Sequence, residues 1–566
     1  MIYTKKRSML KYVDYVPFGS DKQKSKLVNS LYHTFRTNIL PGISIGVFHK
    51  HFCADNGRPT KDLQSIIGLF LLQALKNMTD EEAIEAYCFN DAFRYALDTS
   101  RDEYLSERAY YYYRAKLLGE GHAVFNNILK TVATKLSLDH SIQRTDSTLV
   151  GTWLKGMSKL ELFSTSIKKF LRDVKKMHPI VYGRMDQEIR DKYLPEEDSR
   201  SWFAANKPSE YQNCLVASAG HILSLIEFFK EHKSISKLES FALLQRLANE
   251  QIQVQEDGQL VVSVKKEFKG KALVNPHDPE ARYDGHKKSV GYTAEFTETC
   301  GSGKDDPNPR IITRVDVRQA NIADSTNLQE AIADLETREF KPDTHLADNG
   351  YDSTENHQAL QKKGVDMVTP PAGKNPDGLR VMDFIINENN EIVSCPMGQA
   401  CQKNKVHHEK KYTTSWFDPE VCRECVHRED CPVKHGKRKS RLTWKWSRPR
   451  IETRRMLLSE EEETMSLYRQ RAGGEAAFSI VKRKLGLKRL RRRGMANTIL
   501  SVILAATALN ILRMHLWLAK GPLGTQLSKL KASLSQFYPI FCHYLAFFID
   551  CLARRCHSAQ NRPAEI

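Results

Sequence analysis

"YRQRAGGEAAFSIVKRKLGLKRLRRRG", residues 468–494, holds ten Lys or Arg and a single carboxylate, Glu475. A lone acid in so basic a run makes chemical sense if Glu475 holds a metal ion while its neighbours hold the phosphates of the same substrate. Helical geometry supports this. At about 100° per residue, Tyr468, Arg471, Glu475 and Lys482 fall on one stripe about 60° wide. Ala477, Phe478, Val481 and Leu485 form a separate apolar face that can seat the helix on a sheet. Gly473-Gly474 weakens the first turn, so the helix can begin as late as these glycines, leaving Tyr468 and Arg471 on a loop.

Working outward, two further acids stand in special places. HSIQRTDSTLV (140–150) is short and β-branched, the pattern of a buried strand, and carries Asp146 in its middle. THLADNGYD (344–352) reads as a strand ending at Asp348, just before Gly350. Between them, 283–299 and 310–321 resemble neighbouring strands and 325–339 a helix, so the order becomes βαβ. Singly, each acid has an ordinary explanation: a local turn, a common Asp-Asn-Gly loop, relief of charge in a basic helix. Together, two strand-borne aspartates and a helix-borne glutamate can converge at the C-terminal edge of a mixed sheet. Their oxygens suit Mg²⁺ or Mn²⁺, and a pair of such ions clamps the attacking and leaving oxygens of a phosphodiester.

Tyr468-x2-Arg471-x3-Glu475-x6-Lys482 resembles the Tyr-Arg-Glu-Lys signature of bacterial insertion-sequence DDE transposases, and RTDST and ADNGY resemble their two aspartate motifs. GRPTKDLQSIIGLFLLQAL looks like the start of their helical N-terminal domain, so the resemblance runs from about 57 to about 515. It implies an α/β fold with an RNase H-like mixed-sheet core, and Asp146, Asp348 and Glu475 as the catalytic, metal-binding triad. It also implies that Tyr468, Arg471 and Lys482 contact the phosphate backbone near the element's end, that terminal inverted repeats and target DNA are the substrates, and that the protein is at least a homodimer when ends are paired. The separations, about 200 residues between the aspartates and nearly 130 from Asp348 to Glu475, exceed those of compact members.

The rest of the chain fits around this. Its 566 residues predict several domains: a helical N-terminal domain at 1–135 for recognising DNA ends, a catalytic core at 136–369 with a helical insertion at about 155–255, a Cys-rich insertion at 370–440, the remainder of the core at 441–520 and a helical tail at 521–566. A net charge of +18 and a pI near 9.2 favour a polyanionic partner. The N-terminal stretch lacks the apolar run of a signal peptide, so a cytoplasmic, nucleoid-associated protein is expected. The apolar segments 496–519 and 537–553 contain Asn510, Arg513, His543 and Asp550 and read as buried helices, with no membrane partner.

Five of the twelve cysteines fall between 395 and 431. Cys395, Cys422, Cys425 and Cys431 are the expected ligands of a structural Zn²⁺ that replaces a hydrophobic core, with Cys401 as the substitute. In KRKLGLKRLRRRG (482–494), Lys484, Lys488, Arg489, Arg491 and Arg492 join Lys482 as phosphate contacts, and 434–450 interleaves Trp444 and Trp446 with cations as stacking candidates for unpaired bases. His286, Lys287 and Lys288, on an expected central strand, are secondary phosphate contacts. Tyr110 to Tyr113 are expected to pack as core and rim. The competing function is a transposase-derived DNA-binding protein without catalysis; retention of all three carboxylates and Lys482 favours the enzyme.

Overall fold

The computed structural model describes residues 2–3, 20–53, 56–151, 156–195, 208–285, 287–300, 309–369, 378–436, 439–445 and 461–537, with side chains described as far as 519. Trp446 and the 537–553 segment, apart from the backbone of residue 537, lie outside the described residues.

The N-terminal part is helical: α1 (Leu63–Lys76), α2 (Asp80–Phe89) and the long α3 (Glu107–Leu136). Thr79 accepts from the backbone of Glu82 while the Glu82 side chain accepts from the Thr79 backbone, the capping box expected at the start of α2. On α3, Tyr110 and Tyr113 are buried and Tyr111 and Tyr112 exposed, which is core and rim packing.

β1 (Ile142–Val150) leaves this helical part and begins the sheet. An insertion follows, α4 (Lys159–Met177), α5 (Tyr211–Phe229) and α6 (Glu239–Gln251), closed around its own apolar cluster that includes Phe163, Phe170, Phe229 and Phe241. The chain then returns through β2 (Ser289–Thr299) and β3 (Ile312–Gln319), crosses by α7 (Leu328–Thr337) to β4 (Thr344–Leu346), and crosses again by α8 (Thr354–Lys362) to β5 (Asp366–Val368). The order is β3-β2-β1-β4-β5, with Arg282–Asp284 also pairing along β2 to make six strands. β1, β4 and β5 run parallel, as their helical crossovers require, while β2 is antiparallel to both β1 and β3. This mixed sheet is compatible with an RNase H-like core. Lys287 and Lys288 sit in the turn before β2, with Lys288 at φ 48°, not on a strand, and His286 lies outside the described residues.

The last described elements are α9 (Glu462–Arg469), α10 (Gly473–Arg483) and α11 (Met495–Phe537). Met495–Ala519 is long and apolar enough to cross a membrane, but 67% of that apolar window is buried inside the protein, against α3, α1 and β3. Its polar residues are spent there too. Asn510 accepts from the Ile312 N–H and donates to the Ile312 carbonyl, both at 2.8 Å, acting as a surrogate strand along the edge of β3. Arg513 reaches Glu298 at 2.7 Å. Residues 35–136, the sheet and α11 share one apolar cluster, so the change at 135 is one of secondary structure and not of core.

The Cys-rich stretch differs from its expectation. It folds as a four-stranded antiparallel sheet, β6 (Lys403–His407), β7 (Tyr412–Phe417), β8 (Lys434–His435) and β9 (Ser440–Lys445), in the order β6-β7-β9-β8. Phe384, Ile392, Phe417, Leu442 and Trp444 give it a small hydrophobic cluster of its own. Trp444 is 3% exposed and part of that cluster, so it is no stacking platform.

Candidate active site

Strand register brings the two aspartates together. Ile142 pairs with Thr344 and Arg144 with Leu346 across the parallel β1 and β4, so two residues further on Asp146 and Asp348 stand at the same level. Gly350 N–H donates to the Asp348 carboxylate at 2.8 Å and fixes the loop that ends β4.

Glu475 arrives from above. Phe478 of α10 stacks on Phe296 of β2, the direct neighbour of Asp146, with ring centroids 5.1 Å apart. Ala477, Phe478, Val481 and Leu485 are buried, the seating face that their spacing required. Glu475 lies in the first turn of α10 and lines, with Asp146, Thr148, Lys482 and Lys488, a cavity of about 640 Å³. Gly474 is the nearest approach: a Cβ there would sit 3.5 Å from the Asp146 side chain.

The single stripe expected for Tyr468, Arg471, Glu475 and Lys482 is broken. Tyr468 lies in the last turn of α9, Arg471 lies in a 3₁₀ turn at Gln470–Ala472, and α10 starts at Gly473. The cause is Arg144, 1% exposed, whose guanidinium donates to the Gln470 carbonyl and is paired with Glu298 directly across on β2. The Arg144 and Arg310 guanidiniums occupy the space that a side chain at 473 would need, so any other residue there would have to displace them. Arg471 packs its guanidinium 5.8 Å from the centre of the Tyr468 ring.

The electrostatics match a site built for a cation. Burial above all, then Asp348 and Asp324, pushes the Asp146 carboxyl up to about 6, against the pull of the Ser147 N–H and Arg471. Burial, helped by Lys287, holds the Lys482 ammonium below its ordinary value, while Asp146 opposes the shift. Lys482 donates to Thr148 Oγ1 on β1. Among the described residues no three His, Cys, Asp or Glu side chains are close enough to enclose one ion: Asp146 and Glu475 line the cavity, and Asp348 is not part of its lining.

On the opposite face of the sheet lies a network that the sequence reading missed. Glu295, fully buried, accepts from Arg314 and Arg318 at 2.8 Å and from Tyr351 of the ADNGY loop at 2.9 Å. Arg318 bridges on to Asp324 at 2.7 Å, and Asp324 accepts from Ser147, next to Asp146, at 2.9 Å. One network therefore ties the strand of Asp146 to the loop of Asp348. The signal in the sequence was the pair of acids in a strand otherwise made of threonine, aromatic and alanine residues, YTAEFTET.

The basic run divides its duties. Lys484, Lys488 and Arg489 are exposed. Arg491 donates to the Asn77 and Met78 carbonyls and Arg492 pairs with Asp80 at the start of α2, with its guanidinium 5.4 Å from the Tyr111 ring centre. These two arginines dock the core onto the helical part, a use that their expected role as phosphate contacts did not include. Gly151, at the end of β1, exchanges backbone hydrogen bonds with Leu487 and Leu490 and so anchors the same run; a Cβ there would collide with the Lys488 carbonyl.

Residues 394–515, which include Glu475 and α10, match the family described as Transposase DDE domain, and residues 29–114 match the one described as Transposase domain (DUF772). Both matches support an insertion-sequence DDE transposase. No curated protein and no solved structure matches this chain. The matched segments cover most of the helical N-terminal part and the glutamate-bearing end of the core, while Asp146 and Asp348 lie outside them, on β1 and just after β4.

Proposed function

We propose that this transposase cuts DNA at insertion-sequence ends and joins the freed ends to target DNA, using Asp146, Asp348 and Glu475 to hold two Mg²⁺ or Mn²⁺ ions. The observation that carries this reading is the β1–β4 register, which levels the two aspartates beneath a helix whose Glu475 lines the cavity of Asp146. Bound divalent ions would activate the attacking oxygen and steady the leaving one. The chain's own groups do the rest. Lys482, steered by Thr148, Arg471 beside Tyr468, and the exposed Lys484, Lys488 and Arg489 hold the phosphates on either side. Water displaces the 3′-oxygen from phosphorus at the element end, and the resulting 3′-hydroxyl attacks a target phosphodiester, one P–O bond forming as another breaks. The helical N-terminal part reads the terminal repeats, and pairing of two ends calls for a homodimer.

Cleavage of a labelled duplex carrying the flanking terminal repeats, with Mg²⁺ or Mn²⁺, tests this reading. Glu475→Gln keeps the side-chain shape and removes the charge, so the variant is expected to bind as wild type does and not to nick. Binding without nicking by both proteins would favour a DNA-binding descendant without catalysis. Equal nicking by both would remove Glu475 from the site.

A structural zinc in the Cys-rich sheet belongs to the same proposal, and it requires the cysteines to draw closer together, because among the described residues no three of them are near enough to enclose one ion. Cys395, Cys422, Cys425 and Cys431 line one small cavity of about 60 Å³, and burial together with the neighbouring thiols raises the Cys422 and Cys431 thiols. Zinc would favour the thiolates and relieve that crowding. Metal analysis of the purified chain is expected to find about one zinc per chain, lost in Cys425→Ser. A zinc-free, fully folded wild type would leave the apolar cluster alone holding the sheet.

A further inference from the structure

The Cys-rich sheet has two unlike faces. Phe417, Leu442 and Trp444 point into the small apolar cluster and are 1–4% exposed. The register sets the other face in three rows. Lys434, Arg441, Trp416 and Lys403 lie side by side in the first. Thr443, Thr414 and Lys405 form the second, with the two threonine hydroxyls 3.2 Å apart. Lys445, Tyr412 and His407 form the third, where the tyrosine and histidine rings stack at 4.3 Å.

Among the described residues of its strands, this face carries cations at its margins, aromatic rings along its central strand and no carboxylate. Lys403, Lys405, Lys434, Arg441 and Lys445 are exposed, and Trp416 and Tyr412 are half-buried among them. Among the described residues, Lys445 is the one of these five cations in an ion pair, with Glu355 at 2.6 Å. Glu355 lies in the first turn of α8, seven residues after Asp348, so the face borders the catalytic loop.

We propose that this face is a binding platform for single-stranded DNA, separate from the cavity of Asp146 and Glu475. Rings on a flat sheet offer bases a stacking surface, which duplex DNA, with its bases already stacked, cannot use. The surrounding lysines and arginine supply the sequence-independent attraction to phosphate. A strand unpaired near the cut would be held beside the carboxylate site. The platform does not depend on whether those carboxylates cut.

The test is fluorescence anisotropy of the full-length protein with a labelled oligothymidine strand and, separately, a labelled duplex, without added divalent metal. Trp416→Ala is expected to weaken strand binding by between about fivefold and a hundredfold, and Trp416→Phe to restore most of it. Lys405→Gln with Arg441→Gln, at exposed positions, is expected to lower the salt slope for the strand by about 1.4, at about 0.7 per cation. Duplex affinity should hold in every variant, and circular dichroism reports folding. If Trp416→Ala fails to fold, the Lys405/Arg441 pair decides alone. Unchanged strand binding in that pair, equal losses for strand and duplex, or no strand binding by wild type would each overturn the platform.

Discussion

Asp146→Asn is expected to slow end cleavage by about a thousandfold or more and, in the metal-free protein, to raise thermal stability. Both effects have one cause. The Asp146 carboxylate is poorly solvated and stands near Asp348 and Asp324, so its charge is costly until a cation neutralises it. The sign follows from linkage. Its folded value of about 6 lies above the ordinary 3.8, so the native state binds the proton more tightly and stability falls as pH rises through that window. Asparagine removes this penalty. Melting curves of metal-free protein should show the variant above wild type at pH 8, the difference fading as pH falls through 6 towards 3.8. Added Mn²⁺ should raise the wild type more than the variant. A variant less stable than wild type at pH 8 would mean that Asp146 is held by contacts stronger than its burial.

Glu295→Ala is expected to cost about 3–5 kcal/mol, because it leaves the Arg314 and Arg318 charges buried without their shared partner. Denaturant unfolding measures this directly. Tyr351→Phe separates support of the site from support of the fold: it removes one hydrogen bond to Glu295, worth about 1 kcal/mol, yet frees the loop of Asp348. Cleavage should therefore fall by more than the stability change accounts for. Equal rates in Tyr351→Phe and wild type would confine the network to a structural role.

The residues of the proposed site stand out in the sequence because their chemistry is local. Asp146 stands in a β-branched strand, Asp348 at a strand end before glycine, and Glu475 between an apolar helix face and a run of cations. What was missed depends on partners far away in the chain. Gly473-Gly474 marked where the helix could start, but the arginine that holds the break at 470–472 lies more than three hundred residues earlier, and no window of sequence contains both. Arg491 and Arg492 look the same in sequence as Lys484 and Lys488; only the nearness of Asp80 and the Asn77 and Met78 carbonyls diverts them from DNA. Trp444 and Trp416 differ by strand parity alone, and parity needs the register.

The sequence by itself determined the elements and the chemistry. Period-two and period-3.6 patterns specify strands and helices from within, and carboxylates among cations are the ground for the proposed metal-and-phosphate site. Tertiary structure decided which charges face a substrate and which are spent holding the protein together. That choice rests on burial and on distances between residues remote in sequence, through the desolvation of Asp146, the pairing of Arg144 with Glu298 and the Glu295 network beneath the sheet.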